Sequence, residues 1–554
     1  MKKLLSLLLI AALCLSILPA SAEANDVEVT AYGYGGELVL KATFDGETLA
    51  DLQVVSSHES SPVMTRAWPV IRERILEAQS PIVDSVSAAT FTSYAVKSAV
   101  AQAYAQIGKD FGTITMTTAA PEEEARELDP VHTQIVIVGG GPAGLAAAIG
   151  AKESGAQDVI LVEKLDILSG NGKFDMNFFD LINSEAQKAA GIDYTIEQFL
   201  EDKATSSDSP ERIAVWAQGE YELDAWLRGM GIELNYNYGG TNHMHEAEAY
   251  AGEHIQEGLE RRVAELGVDV RTGTKGLDLI MEDGKAVGVK VQHKNETYDI
   301  YADAVIIATG GFSFNKELLA KYAPGSEDVA TSNQMGAMGD FVPVFEKYGF
   351  KMGNMDTLSV FKMIIKNRRD LTGAGDGFIF VNENGDRFVD ESSSGLGLAH
   401  TILEQGKCFY IYDQNLYESM YRLKKHNELG YHTKADTLDE LAEALGIPAE
   451  NLKASVESFN KSANGEADDP FRAKAFSRPF KDEGPYYGVQ VESAIHMTKG
   501  GVVANENAQV LMEDDSIVEN LYAAGEVTCT SGAYSSSVVF GRIAGQQAAA
   551  HIAE

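Results

Sequence analysis

The sequence has very little cysteine. Its 554 residues include 3 cysteines, of which Cys14 lies in an apolar leader and Cys408 and Cys529 lie far apart in the rest of the chain. Two separated cysteines build neither a disulfide framework, nor an iron–sulfur cluster, nor the Cys-x-x-Cys-His attachment of a c-type haem. Stability must therefore come from the core, and any redox chemistry must use organic cofactors.

Positive charge is also scarce. The chain has 45 Lys and Arg against 82 Asp and Glu, a formal net charge of -37. Such a surface repels the phosphate backbone that supplies most of the affinity for nucleic acid, so we expect no nucleic-acid partner. The hydrophobic fraction of 45% and the charged fraction of 23% are ordinary for a globular protein. The length predicts several cores.

The first 22 residues have the pattern of a signal peptide. Lys2 and Lys3 precede an apolar stretch over residues 4–19, and Ala20-Ser21-Ala22 offers a small-residue cleavage site. We therefore expect export to the cell surface, the periplasm or the medium. Retention of the stretch as an anchor remains an alternative. A lipid on Cys14 is disfavoured because the preceding Leu13 is large.

The remaining chain divides by composition and hydrophobic pattern. Strand-like runs at 27–32, 37–44 and 52–56 and two helical segments predict a small α+β domain over 23–112. A Thr-, Ala- and Glu-rich stretch predicts a linker over 113–130. Alternating strands and helices then predict an α/β domain over 131–358 and 488–554, interrupted by an inserted cap over 359–487.

A glycine-rich turn lies between the strand 135–138 and the helix 143–154. The turn Gly139-Gly140-Gly141-Pro142-Ala143-Gly144 fits G-x-G-x-x-G, which permits a tight turn, close approach of a pyrophosphate, and tight packing of helix on strand. Glu163 ends the next strand, where a carboxylate accepts hydrogen bonds from a ribose. These residues predict a doubly wound, Rossmann-like fold that binds a dinucleotide.

Three later motifs carry a family resemblance. Ala308-Thr309-Gly310-Gly311-Phe312, Met338-Gly339-Asp340 and Gly525-Glu526, together with the cap, resemble the FAD-dependent fumarate reductase, succinate dehydrogenase and urocanate reductase superfamily over about 131–554. The resemblance implies a non-covalent FAD and an α+β cap. The residues it implies at the FAD site, with those of the glycine turn, are Gly139, Gly141, Ala143, Gly144, Glu163, Lys164, Gly170, Asn171, Thr309, Gly310, Gly311, Asp340, Gly525 and Glu526.

A second flavin site is suggested in the first domain. The segment Asp84-Ser85-Val86-Ser87-Ala88-Ala89-Thr90 resembles the attachment motif of FMN-binding domains, although Ala88 stands where glycine is usual. The resemblance implies that a flavin transferase joins FMN covalently to Thr90 and recognises Asp84. The alternative is a simple helix cap formed by Thr92 or Ser93.

The substrate positions depart from the family. Residues 384–391 resemble a cap stretch that includes Arg387, but Ser392-Ser393-Ser394-Gly395 replaces the proton-donating arginine expected next, and Phe361 replaces a histidine. Fumarate is therefore a poor substrate candidate. We expect His496, Tyr534 and Arg387 to be catalytic, with structural roles as the alternatives for the first two.

Several charged or metal-type side chains fit no motif. Lys362, Lys366, Arg368 and Arg369 predict either a carboxylate site or a solvated helix face. His243, His245 and His254 lack a completing acid or cysteine, so we expect no metal.

Together these features predict an exported two-flavin oxidoreductase. It would take electrons from a membrane-linked donor onto FMN, pass them to FAD, and reduce an activated C=C bond of a small molecule. Two alternatives stay open. One is dehydrogenation of a CH–CH donor such as a ketosteroid, and the other is an electron-transfer relay without its own substrate.

Overall fold

The structure is a computed structural model that describes residues 25–59, 61–121, 124–173, 178–204, 208–373, 375–472, 478–529 and 534–553. The predicted signal peptide, 1–22, lies outside these residues. The chain separates into two compact units, 1–123 and 124–554. Within the described ranges no helix combines the length and apolar character needed to span a bilayer.

The first unit is a small α+β fold, as predicted. Its antiparallel sheet consists of the strands Asn25–Tyr32, Glu37–Asp45 and Thr48–Ser57. The helices Ser61–Ala78 and Thr90–Gln106 complete it. Alternate residues of the middle strand are buried, because successive side chains of a strand point to opposite faces.

The second unit is built on a nine-stranded sheet. Its parallel strands lie in the order Asp269–Arg271, Val159–Val162, Val131–Val138 and Glu296–Ile307, and Ile517–Ala523 also pairs in parallel with the last of these. Lys285–His293 and Thr274–Glu282 extend the sheet antiparallel. Arg126–Glu127 and Gln509–Leu511 add short edges. The Rossmann-like architecture is confirmed, and the predicted linker ends sooner than residue 130.

Two helices pack against the parallel strands. They are Pro142–Glu153, which follows the glycine turn, and Tyr534–Ala553. A Cβ added at Gly541 would lie 2.2 Å from the carbonyl oxygen of Ala143, and one at Gly545 would lie 2.0 Å from that of Ala147. Glycine is therefore required where these helices touch.

The cap is a six-stranded sheet covered by helices. Its strands are Ala330–Thr331, Leu358–Ile365, Phe378–Asn382, Cys408–Asp413, Thr433–Ala435 and Tyr486–Thr498. Its helices are Gly395–Glu404, Gln414–Ser419, Tyr421–Glu428, Leu438–Leu445 and Ala449–Ala463. The strand Tyr486–Thr498 crosses the predicted boundary at 487. It pairs within the cap sheet along its length, and Thr498 at its end contacts the side chain of Glu526, which follows the strand Ile517–Ala523.

Smaller elements surround the nucleotide-binding sheet. They are a ribbon of Phe179–Asp180, Tyr236–Gly239 and Asn242–Met244, a strand pair Met352–Gly353 and Gly501–Val502, a 3-10 turn Gly170–Lys173, and the helices Glu185–Ala190, Ile196–Asp202, Pro210–Gly229, Gly252–Glu265, Lys316–Tyr322 and Val342–Tyr348. The ribbon and the 3-10 turn contribute residues to the site described next.

Candidate functional site

A cleft of about 580 Å³ opens at the carboxyl ends of the parallel strands, where α/β sheets bind ligands. The cleft brings together many residues singled out in the sequence. They are Gly139, Gly141, Ala143, Glu163, Lys164, Gly170, Asn171, Thr309, Gly310, Asp340, His496, Gly525, Glu526 and Tyr534. Gly144 and Gly311 lie behind its surface. Asp84 and Thr90 belong to the other unit.

The glycine turn forms a cradle that side chains would fill. Gly139 has φ +111, and a Cβ there would lie 2.3 Å from the carbonyl oxygen of Ala308. A Cβ on Gly144 would lie 1.8 Å from the carbonyl oxygen of Gly139. Gly141 faces open space, and as the N-cap of the following helix it has no side chain to bond the first amides. Those amides and the helix dipole are available to a pyrophosphate.

Glu163 is fixed beside this turn. Its Oε2 accepts a hydrogen bond from the backbone N–H of Gly140 at 2.7 Å, and its Oε1 accepts one from Leu165 at 2.8 Å. Burial raises the pKa of Glu163, although these backbone donors and the nearby lysines oppose the rise. Each carboxylate oxygen has a second lone pair, so the group can also accept a hydrogen bond from a ribose.

Asp340 joins two lysines in the cleft wall. It forms ion pairs with Lys164 and with Lys275, the latter at 2.8 Å. Burial alone would raise the pKa of Asp340, but the two lysines outweigh burial and lower it. The group contributes one negative and two positive charges, so this part of the wall is positive.

Two polar side chains in the wall lack protein partners. The hydroxyl of Thr309 and both amide atoms of Gln334 are buried, and none has a hydrogen-bond partner among the described residues. Gln334 is only 3% exposed. Buried polar groups are nearly always satisfied in a working protein, so both side chains fit a polar ligand in the cleft. No sequence pattern had marked Gln334.

Glu526 is positioned from the end of the long cap strand. Its Oε1 accepts hydrogen bonds from the backbone N–H of Thr498 at 2.9 Å and from the Thr498 hydroxyl at 3.2 Å. Burial raises the pKa of Glu526 to about 7. A Cβ on Gly311 would lie 2.4 Å from this Oε1. The glycine therefore makes room for the carboxylate.

His496 lies on the same strand and is stacked on Phe361. The two rings are 3.9 Å apart between centroids and inclined by 16°. The Ser332 hydroxyl lies 2.9 Å from Nδ1 of His496. Burial lowers the pKa of His496 to about 4, so the ring is neutral near pH 7.

The hydroxyl of Tyr534 is occupied by the protein. It accepts a hydrogen bond from the side-chain amide of Gln256 at 2.5 Å and lies within donating distance of the carbonyl oxygens of Gly172 and Gly252, at 3.2 and 3.3 Å. Its ring packs edge-on against Phe179. The geometry favours the packing role that the sequence left open over proton donation.

Arg387 is not at the cleft, which corrects its catalytic assignment. Its guanidinium donates to both oxygens of Glu391, at 2.9 and 2.8 Å, and to Asp469 at 2.8 Å. The side chain is 3% exposed. Two buried carboxylates thus hold Arg387 in the interior of the cap, where it fixes the loop after the strand Phe378–Asn382.

The four basic residues between 362 and 369 do not form a helix face. They lie on the strand Leu358–Ile365 and the turn after it. Lys362 donates to the carbonyl oxygen of Glu391, and Lys366 pairs with Glu492. Arg368 stacks on Tyr431 at 3.9 Å, and Arg369 donates to the carbonyl oxygen of Asn333 at 2.8 Å. They therefore do not form one carboxylate site.

The three histidines that were considered as metal ligands make contacts within the local fold. His243 lies between the Ser184 hydroxyl and the carbonyl oxygen of Thr241, at 2.6 and 2.7 Å. His245 and His254 stack on each other at 3.9 Å. In the part of the chain that the structure describes, no group of three or more His, Cys, Asp or Glu side chains is arranged to hold a metal ion.

The flavin-attachment motif forms a strained turn in the first unit. Ala88 has φ +67, a left-handed conformation that glycine adopts without cost. The helix begins at Thr90, and its N-cap residue, Ala89, makes no side-chain cap. Ser93 instead accepts the backbone N–H of Val86 at 2.9 Å. The geometry thus differs from the helix-cap alternative.

Two contacts hold this turn against residues 118–120. The carboxylate of Asp84 is exposed and accepts the backbone N–H of Ala120 at 2.9 Å. The buried ammonium of Lys97 donates to Ser85 Oγ at 2.8 Å and to the carbonyl oxygen of Thr118 at 2.6 Å. Lys97 was not found from the sequence, because a lone lysine in a helix gives no signal.

Comparisons with known proteins support both flavin-binding domains. The FAD binding domain family matches residues 134–536, and the FMN-binding domain family matches residues 33–105. The urocanate reductase of Eggerthella lenta is 31% identical over 94% of this chain and 91% of the relative. The NADH:fumarate oxidoreductase of Klebsiella pneumoniae is 29% identical over 93% of this chain, which spans 57% of that relative's length.

A solved structure supports the same relationship. The open conformation of a flavocytochrome c3 fumarate reductase is 30% identical, with a TM-score of 0.71 over 76% of this chain and 79% of that one. This chain therefore belongs to the FAD-dependent oxidoreductases of the fumarate reductase and urocanate reductase family, and it also carries an FMN-binding domain.

Proposed function

We propose that the protein is an exported two-flavin reductase that saturates an activated C=C bond of an enoate or enone. One observation carries the proposal: a dinucleotide cradle and the stacked pair His496–Phe361 line the same cleft. The relatives add support, since their names give urocanate and fumarate as substrates. Both molecules have a double bond conjugated to a carboxylate.

The residues of the cleft fit FAD in donor chemistry. The amides after Gly141 would hold the pyrophosphate, and Glu163 and Glu526 would each accept hydrogen bonds from ribose or ribityl hydroxyls. Gln334 and Thr309 have unpartnered polar atoms that would form hydrogen bonds with the polar edge of the flavin ring. When bound and reduced by two electrons, FAD would supply a hydride to one carbon of the double bond, and a proton from water would complete the saturation at the other carbon.

His496 orients the substrate in this proposal and does not protonate it. In the tautomer whose Nδ1 accepts from the Ser332 hydroxyl, the neutral ring carries its proton on Nε2 and can donate one hydrogen bond to a substrate carbonyl. A pKa of about 4 leaves almost no imidazolium near pH 7. The stack on Phe361 holds the ring plane.

Covalent FMN at Thr90 would supply the electrons, received from a membrane-linked donor. The support is the match to FMN-binding domains, the left-handed turn at Ala88 and the exposed acid Asp84. Co-expression with a flavin transferase should give a protein one FMN heavier, less one water. Thr90→Ala should remove that mass and Ser87→Ala should keep it. A mass that persists in Thr90→Ala would refute this site.

Export is supported by the charged start, the apolar stretch and the Ala-Ser-Ala site of residues 1–22. Sequencing the amino terminus of the mature protein from its native host should give Glu23. A terminus at Met1 would refute cleavage.

The reductase activity is tested by anaerobic oxidation of a reduced viologen. The flavin-loaded protein is offered acrylate, cinnamates, urocanate, fumarate and cyclic enones. Saturable oxidation with one class, and weak oxidation with fumarate, supports the proposal. If none of these compounds oxidises the reduced viologen while both flavins are present, the proposal is overturned in favour of an electron-transfer relay. Dye reduction by a saturated substrate overturns it in favour of a dehydrogenase.

A further inference from the structure

The cap contributes an apolar wall to the cleft. Phe361, Leu371 and Arg422 are the cap residues that line it, and Phe178 and Met497 lie in the cleft with them. Phe361 is already stacked on His496, which leaves a flat aromatic surface beside the ring that would orient the substrate. Such a wall stabilises planar apolar groups and disfavours a second charge.

Arg422 is the unusual member of this wall. It lies in the first turn of the helix Tyr421–Glu428, and its Nε is buried without a hydrogen-bond partner among the described residues. Its guanidinium carbon lies 6.0 Å from the ring centroid of Phe178. No carboxylate of the described ranges forms an ion pair with it, whereas Lys164 and Lys275, also in the cleft wall, both pair with Asp340.

The guanidinium of Arg422 is partly buried in the cleft wall and has no ion pair among the described residues, so it can receive an anion. Burying a charge without a partner is costly, and arginine binds carboxylates with two parallel hydrogen bonds. The cleft therefore has one guanidinium available for a substrate carboxylate, and Phe361 and Leu371 give the same cleft an apolar surface. A dicarboxylate would place its second charge against that surface.

We propose that Arg422 binds the single carboxylate of an enoate whose other end is a planar aromatic or apolar group packed against Phe361 and Leu371. The inference rests on the proposed reductase function and names its substrate class, an arylacrylate-type monocarboxylate. Arg422 thereby supplies the recognition of the substrate carboxylate. It acts on substrate binding and leaves the redox step to the cofactors.

The test uses the full-length, flavin-loaded protein and two readouts. The first is equilibrium binding of 3-phenylpropanoate, a product-like carboxylate, followed by the flavin absorption change. The second is kcat/KM for cinnamate, for its neutral analogue cinnamamide, and for fumarate. The variants are Arg422→Gln and Arg422→Lys, with Lys424→Gln as control, because Lys424 is in the same helix but does not line the cleft.

Arg422→Gln should weaken binding of 3-phenylpropanoate about 10- to 100-fold, the range expected for losing a charge-assisted bidentate contact. It should raise KM for cinnamate similarly and leave cinnamamide unchanged. Arg422→Lys should recover part of the loss, and Lys424→Gln should match the unmodified protein. The unmodified protein should prefer cinnamate to both cinnamamide and fumarate, a comparison that does not depend on folding of any variant.

Two results would overturn the inference. One is binding of 3-phenylpropanoate that is equal in Arg422→Gln and Lys424→Gln, and the other is a preference for fumarate over cinnamate. If the protein reduces enones but the affinity for the carboxylate does not change when Arg422 is replaced, only this inference fails. If no enoate or enone is reduced while carboxylate binding depends on Arg422, the binding site is supported and the reductase function fails.

Discussion

Replacing Gln334 with Met should stabilise the FAD-free protein and weaken FAD binding. Both amide atoms of Gln334 are buried without partners among the described residues, and each unsatisfied group costs about 1–3 kcal/mol. Met has a similar shape without polar atoms, so the free energy of unfolding should rise by roughly 1–2 kcal/mol. The lost hydrogen bonds to the flavin should raise the Kd of FAD about 5- to 150-fold.

The assay is urea unfolding of the full-length protein without FAD, paired with FAD titration followed by flavin fluorescence. Gln187→Met is the matched control. Gln187 is also buried, but its amide accepts from Ser184 at 3.1 Å and donates to the carbonyl oxygens of Leu181 and Gly240 at 3.2 and 3.0 Å. The control should therefore destabilise the protein and leave FAD affinity unchanged. A destabilised Gln334→Met, or one with unchanged FAD affinity, would refute the reasoning.

Further outcomes follow from the cleft, the cap and the flavin-attachment turn of the first unit. FAD affinity should fall as pH drops from 8 to 6, because ribose hydroxyls bond best to ionised Glu526, whose pKa is about 7; Glu526→Gln should remove this slope in Kd measurements. In the FAD-free protein, the contribution of Glu526 to the free energy of unfolding has the opposite pH dependence. It is complete below pH 4.5 and is lost as the pH rises through 7. Arg387→Gln should lower the free energy of unfolding by about 3–5 kcal/mol with kcat unchanged per loaded molecule; lost kcat at unchanged stability would restore its catalytic assignment. Ala88→Gly should raise the unfolding temperature of the first unit, because relief of roughly 1–2 kcal/mol of left-handed strain exceeds the entropy cost of about 0.4–1 kcal/mol. Ala89→Gly, at φ -132, should lower it, and equal shifts would contradict the strain argument.

The parts of the site that the sequence predicted are local. Gly139, Gly141 and Gly144 lie in one turn between a strand and a helix, so spacing alone indicates their geometry. Glu163 follows because the next strand is parallel and ends at the same edge. The two-unit organisation was likewise visible, since the hydrophobic pattern changes on either side of a polar stretch.

The parts that the sequence did not predict depend on contacts between distant segments. Phe361 and His496 are far apart in the chain, and only the antiparallel pairing of their strands stacks the rings and lowers the histidine pKa. Arg387 looks like any motif arginine until Glu391 and Asp469 surround it. Gln334 and Arg422 are notable because polar atoms of their side chains have no protein partner among the described residues. A sequence pattern cannot show which contacts a side chain lacks.

The ion-pair group of Lys164, Lys275 and Asp340 has a consequence for how FAD enters the protein. The chain as a whole carries a net charge of -37 and repels the FAD pyrophosphate at long range, whereas this group attracts it within the cleft. Salt screens the long-range repulsion more than the short-range attraction, since the Debye length is about 8 Å at physiological ionic strength. Cofactor capture by the FAD-free chain is therefore slowest in dilute buffer and accelerates as ionic strength approaches that of the cell.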